Sequence, residues 1–148
     1  MAIRAQAVVA LFVVAFSGCG ETGTYHRDSP PAEARLPGYG EVVLAYGTQV
    51  RFPDLGVSLS FDEVLEDSRC PVHPQIACVW EGNAAVEVGV TPDDGPRFGV
   101  VLNTTLEPQS VERSGVRITL LEVLPVATDE GPIPAELYTV KLEVEPIG

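Results

Sequence analysis

Through most of the chain beyond residue 56, apolar side chains fall on every second position, which is the repeat of a strand with one buried face. Val57, Leu59 and Phe61 alternate with Ser58, Ser60 and Asp62. The same parity runs through Ala84, Val86, Val88 and Val90, then Phe98, Val100 and Leu102, then Val116, Ile118 and Leu120, and last Tyr138, Val140, Leu142 and Val144. Runs over residues 41–46 and 48–52 bring the expectation to about seven strands. Between them lie Pro53-Asp54-Leu55-Gly56, Pro92-Asp93-Asp94-Gly95-Pro96, Ser114-Gly115 and Asp129-Glu130-Gly131-Pro132, rich in the residues that turns demand. No segment carries the repeat of a long amphipathic helix. The parity slips between Phe61 and Val64 and again between Leu120 and Val123, and each slip predicts a β-bulge where a strand bends or changes sheets. An all-β domain follows, a single antiparallel β-sandwich or barrel, and only strand pairings can choose between the two.

Ahead of this pattern, residues 1–18 have the three parts of a secretory signal: Arg4 as the positive region, an apolar run from Ala5 to Phe16, and small Ser17 and Gly18 before a cut. The run is twelve residues long, interrupted only by Gln6. A spanning helix needs about 20. Phe16-Ser17-Gly18-Cys19 resembles the lipobox of bacterial lipoprotein precursors, with Phe16 where leucine is commoner. The resemblance implies diacylglycerol on the Cys19 thiol, cleavage before Cys19, a fatty acid on the new amino terminus and an address in the bacterial cell envelope. Gly20, in place of aspartate after the cysteine, implies the outer membrane if the cell is Gram-negative. The plainer alternative is a secreted protein cut near Gly18.

Residues 19–40 then read as the lipidated amino terminus and a flexible tether, with three prolines and no apolar periodicity after Gly20. Such a tether has a root-mean-square reach of roughly 25 Å. His26 lies in it and has no evident partner. Residues 41–148 fit one domain of ordinary size.

The whole chain has 9 basic and 21 acidic residues, a formal net charge of −12 at pH 7. Residues 1–18 hold one basic residue and no acid, so their removal leaves 8 against 21, or −13. Nucleic-acid binding needs clustered Lys and Arg to displace counterions, and Lys141 is the single lysine here, so that class is excluded. Anionic headgroups are repelled too. Membrane attachment therefore falls to acyl chains, of which two or three hold firmly where one does not. The acidity keeps the domain soluble and off the bilayer, and leaves cationic partners open.

Cys70 and Cys78 remain. In an oxidising compartment a disulfide between them is the default, and closing so short a loop contributes roughly 2.5 kcal/mol on a chain-entropy account whose mechanism is debated. The loop would join a strand ending near Asp67 to one beginning at Cys78, stiffened by Pro71 and Pro74. Cys70, His73 and Cys78 could instead be metal ligands, but the spacing supplies no fourth ligand and oxidation favours the bridge. A reversible redox pair lacks the Cys-x-x-Cys arrangement. Trp80, two residues after Cys78 and so on the same strand face, is expected as a core indole beside the disulfide; the competing reading is an aromatic anchor for a partner. Arg69, near Glu66 and Asp67, is expected to pair with a carboxylate in preference to a ligand.

The stretches Asp67-Ser68-Arg69-Cys70-Pro71 and Cys78-Val79-Trp80-Glu81-Gly82-Asn83-Ala84 resemble a motif of small uncharacterised bacterial lipoproteins, as do Leu102-Asn103-Thr104 and the last strand. The resemblance spans about residues 57–144 and supports the fold and the address; it brings no activity.

An enzyme is hard to build from two histidines, His26 and His73, one in the tether and one in the loop. Asp93-Asp94 and Asp129-Glu130 are the candidate acid–base pairs, and both sit in turns, where solvated acids are commoner; weak calcium binding at Asp93 and Asp94 lacks EF-hand spacing. No glycine cluster has phosphate-loop spacing. The resulting expectation is a lipid-anchored, non-catalytic binding or structural module with no cofactor and no metal. Its contact surface would lie in residues 69–83, where Arg69, Val72, His73, Ile76 and Trp80 are the candidate contacts to an envelope protein. The alternatives are a carboxylate-dependent hydrolase, which requires two acids converging across strands in a concave pocket, and a protease-inhibitor-like wedge.

Overall fold

Every period-two run becomes a strand in the computed structural model, which describes residues 39–148. The strands are β1 (Gly40–Ala45), β2 (Gln49–Phe52), β3 (Val57–Asp67), β4 (Ala84–Pro92), β5 (Phe98–Asn103), β6 (Ser110–Arg113), β7 (Val116–Leu124) and β8 (Thr139–Pro146). They form two four-stranded antiparallel sheets, in the orders β1-β8-β7-β6 and β2-β3-β4-β5. The architecture is an all-β sandwich. Two short 3₁₀ turns, Pro53–Leu55 and Ala135–Leu137, are the helical pieces among the described residues, and no helix there is long and apolar enough to cross a membrane. The signal segment, Cys19, His26 and the tether up to residue 38 lie outside the described residues.

The sheets face each other across one core. Leu59, Phe61, Val86, Val88, Val90 and Leu102 supply the inner face of the β2–β5 sheet, and Ile118, Val140, Leu142 and Val144 are fully buried from the other. Tyr46, at the β1–β2 corner, meets Phe61 edge-on with ring centroids 5.7 Å apart. The corner is pinned to β3 by Gly47 N donating to Phe61 O at 2.8 Å and Phe61 N donating to Thr48 O at 3.1 Å.

Both parity slips are bulges. In β7 the register shifts between Leu120 and Glu122, so that Leu120 and Val123 are buried while Leu121 and Glu122 point out. β3 carries two shifts, one between Phe61 and Glu63 and one between Val64 and Glu66. Without them strict alternation would drive Glu63 and Leu65 inward. With them Phe61, Val64 and Asp67 pair with Val88, Val86 and Ala84, and Glu63 stays exposed. Each bulged strand bends within its own sheet. The two shifts together restore the original parity, so Asp67 lies on the inner side at one open end of the sandwich.

Two details differ from the sequence expectation. The eighth strand is β6, which holds one apolar residue in four, Val111, and so shows no alternation. It exists because Ser114 and Gly115 take φ of 51° and 77°, the two positive values of a tight hairpin turn that returns the chain along β7. Secondly, β4 starts at Ala84 and not at Cys78, so Trp80 is no core residue: 49% of its surface is exposed. Gly82, at φ 76°, turns the chain, and residues 78–83 belong to the loop. The core wall that Trp80 was expected to fill is supplied by Ala84 and Val86.

Phe61→Ala should cost about 3–5 kcal/mol in urea unfolding, because the two packed sheets leave a cavity little room to collapse. Val43→Ala, on the solvent face of β1, should stay within about 0.5 kcal/mol. Equal effects would mean that the sheets do not share a rigid core.

Candidate functional site

Beyond Asp67 the β3–β4 hairpin continues as an irregular ladder. Ser68 N donates to Asn83 O at 2.7 Å and Cys70 N donates to Glu81 O at 2.8 Å. The Cys70–Cys78 disulfide, with Cα atoms 6.0 Å apart, then closes the tip. Val72 N donates to Ala127 O at 2.9 Å, which fastens this tip to the long β7–β8 connection, residues 125–138. The two loops form one end of the sandwich.

Two residues shape the base of the loop. A side chain at Gly82 would place its Cβ 2.0 Å from Ser68 O and 2.7 Å from Arg69 Cα, at a φ that already favours glycine. The strands can therefore approach only because this position has no Cβ. Beside it Asn83 is 2% exposed. Its amide nitrogen donates to Asn103 Oδ1 at 2.9 Å, and its Oδ1 accepts from the backbone N–H groups of Thr105 and Leu106 at 3.2 and 3.4 Å. Thr104 Oγ1 in turn accepts from Ala84 N at 2.8 Å. Asn83 thus ties the loop base to the β5–β6 connection, and its own buried amide finds partners on both its nitrogen and its oxygen.

The other side of the loop base rests on an ion cluster. Arg69 donates from Nε to Asp67 Oδ1 at 2.8 Å and from Nη2 to Asp67 Oδ2 at 2.6 Å, a bidentate pair with the two side chains only 14% and 13% exposed. The same guanidinium donates to the carbonyl oxygens of Val123 and, at 2.9 Å, Pro125. Tyr138 OH donates to Asp67 Oδ2 at 2.8 Å. One arginine therefore binds β3 to the end of β7 in the opposite sheet. Burial pulls the Asp67 carboxyl upward, but donation from Arg69 and Tyr138 outweighs it and holds the group below its ordinary value. Burial and the hydrogen bond to that carboxylate push the Tyr138 phenol up to about 12. A cavity of about 420 Å³ lies against this cluster, walled by Pro71, Pro132 and Ile133.

The candidate contacts separate into two groups. Arg69 faces inward, its donors already engaged. His73 is half-buried, its Nδ1 accepting from Gln75 N at 3.1 Å and its Nε2 lying 3.9 Å from Asp129 Oδ2. Val72, Ile76 and Trp80 face solvent, and Val79, which the sequence had placed within a strand, is fully exposed beside Trp80. The roles of Gly82, Asn83 and Tyr138 had also gone unread. A Gly-Asn pair just before an apolar run was the available signal for a turn there.

Among the described residues no three His, Cys, Asp or Glu side chains are placed to hold a metal ion, and both loop sulfurs are in the disulfide. Of the candidate acid pairs, Asp93 and Asp94 share one turn at the opposite end of the sandwich, where Arg51 Nη2 lies 2.8 Å from Asp93 Oδ2. Asp129 and Glu130 are exposed in the β7–β8 connection. What the disulfide end offers chemically is a fixed, partly apolar surface above a satisfied ion cluster. No protein-family model, curated protein or solved structure matches the chain.

Gly82→Ala should destabilise the domain by at least about 2 kcal/mol in urea unfolding, since both the positive φ and the contact with Ser68 oppose a methyl group. A neutral result would show that the loop base is loosely held. Tyr138→Phe should cost about 1.5–3 kcal/mol at pH 7, the range for a hydrogen bond to a charged group. Asp67, its folded pKa depressed, contributes stability that is present above its ordinary 3.8 and is lost as pH falls through the folded value. Removing one of its donors should therefore move acid unfolding to higher pH. Tyr138 contributes the converse, stability complete below its ordinary 10.0 and lost as pH rises towards about 12, and this alkaline loss should vanish in the variant. Unchanged unfolding at both extremes would separate the phenol from the carboxylate.

Proposed function

We propose that the protein is a lipid-anchored cell-envelope module that binds a partner, without catalysis, through the disulfide-closed loop. The carrying observation is that Val72, Val79 and Trp80 are exposed on a segment whose backbone is fixed at every side. The disulfide closes it, Asn83 and Gly82 hold its base, Arg69 ties that base to β7, and Val72 N bonds to the neighbouring connection. Exposed apolar side chains on a mobile loop would fold back onto the protein. Held out on a stiff one, they keep the entropy cost of association low.

Anchorage rests on sequence. Cys19 stands directly behind the twelve-residue apolar run, and it is the third of three cysteines, the other two being joined to each other. The likeness of residues 67–71 and 78–84 to small bacterial lipoproteins supports the same address. With the partner-binding end carried on a tether, the bilayer would confine the module to the surface where an envelope partner resides.

Two measurements test the reading. The mass of the mature amino terminus should show an acylated Cys19, and a free thiol there would remove the anchor. A photo-crosslinking residue at Val79, in intact cells, should capture one discrete partner that the same residue at Gly95, at the opposite end of the sandwich, does not. Identical or absent products from the two positions would reject the loop as the contact surface.

A further inference from the structure

Every Lys and Arg of the described residues lies outside the two loops that meet at the disulfide end. Residues 70–83 and 124–138 contain Glu81, Asp129, Glu130 and Glu136, all exposed, and no lysine or arginine. Some acids elsewhere in the domain have counter-ions: Asp93 has Arg51, Asp62 has Arg97, Glu112 and Glu145 share Arg117, and Glu41 has Lys141. The cation nearest the loop, Arg69, is spent on Asp67 and on two backbone carbonyls. At this end, then, no Lys or Arg among the described residues is paired with Glu81, Asp129, Glu130 or Glu136, and the His73 ring lies 3.9 Å from Asp129 Oδ2.

The same loops hold exposed apolar groups. Val72, Ile76, Val79 and Trp80 lie on the first, and Val126 and Leu137, each about half exposed or more, on the second. Exposed apolar groups on loops that also carry unscreened acids favour a partner with apolar and basic groups together. Anionic phospholipid headgroups and acidic polypeptides meet like charge there. A chain bearing Lys or Arg among apolar residues meets complementary charge, and the indole face of Trp80 adds an attraction for a cation placed over it.

The geometry points to this end of the sandwich as a docking surface for a cationic, apolar polypeptide segment, whose apolar side chains rest on Val79 and Trp80 while its lysines or arginines face Glu81, Asp129 and Glu130. The inference rests on the disulfide loop being the contact surface and adds the chemical class of what it contacts.

Trp80 is the single tryptophan of the chain, so its emission reports this loop alone. The full chain bearing Cys19→Ala, free of lipid, is titrated with a short tryptophan-free peptide of leucine and lysine. Saturable change in Trp80 emission is expected, weakening about tenfold or more from low salt to roughly 0.5 M, as screening requires. Glu81→Gln with Asp129→Asn should weaken binding about three- to tenfold, and Val79→Ser by a similar factor; all three positions are exposed, so folding is retained. A leucine–glutamate peptide should leave Trp80 unchanged, and a lysine–glycine peptide should bind at least about tenfold more weakly.

Equal binding of the acidic peptide, or binding indifferent to salt, overturns the charge assignment. Equal binding of the lysine–glycine peptide overturns the apolar half. A shift of Trp80 with phosphatidylcholine vesicles and none with the cationic peptide would give the surface to the bilayer. Crosslinking at Val79 without any peptide response would leave the contact surface standing and reject only this class of partner, whereas failure of both rejects the surface itself.

Discussion

Each sheet of this sandwich has one apolar face and nothing but the other sheet against which to bury it. That constraint fixes the parity of every long strand, because a slip of one residue would turn a whole set of valines towards water. Where the sequence breaks parity, the backbone supplies a bulge, and the inner face stays apolar through Val64 and Val123. A core built this way leaves the faces to packing and the solvent sides to ion pairs such as Arg117–Glu112. Irregular chain, with its unpaired backbone donors, is pushed to the two open ends.

At the disulfide end that irregular chain is held by polar groups with all their partners. The Asp67 carboxylate accepts from Arg69 N, Nε and Nη2 and from Tyr138 OH. Such a cluster adds little net stability over an apolar one, since desolvation of both ions offsets much of their attraction. Its effect is positional. Arg69 has to sit where Asp67, Val123 and Pro125 all accept from it, so the first residue of the loop is located relative to both sheets at once. Asn83 fixes the last relative to β5 and the connection after it, through Asn103 and the backbone of Thr105 and Leu106. Between these fixed ends the disulfide leaves little freedom.

The all-β class, two of the three bulges and the turns were legible because burial writes itself into the sequence with period two, whereas the second shift in β3, between Val64 and Glu66, falls among exposed residues and leaves no such mark. β6 was not legible: a four-residue edge strand with one apolar side chain carries no alternation, and it is set by the positive φ of Ser114 and Gly115. The disulfide could be read from compartment and spacing. Trp80 was misplaced because Cys78, Trp80, Gly82 and Ala84 keep strand parity, while the backbone leaves the ladder at Gly82. Arg69 pairing with a carboxylate was legible from charge alone, but its contacts with Val123 and Pro125 span more than fifty residues of sequence and depend on the sandwich. Local pattern reports local burial; the loop's position is a long-range property.

The exit of the chain from the sheet before Ala84 also decides what the loop presents. A core indole would have made residues 78–83 one more strand, with Val79 facing solvent as an isolated and unremarkable apolar residue. With the chain out of the sheet, Val79 and Trp80 stand next to each other in water, on an end whose loops carry four exposed acids and no lysine or arginine. Neither feature favours the isolated domain: exposed apolar surface is poorly solvated, and like charges at one end repel. Arg69 and Asn83, the polar anchors of the loop, are engaged at its base and cover neither feature. A second polypeptide carrying apolar and cationic side chains would relieve both at once.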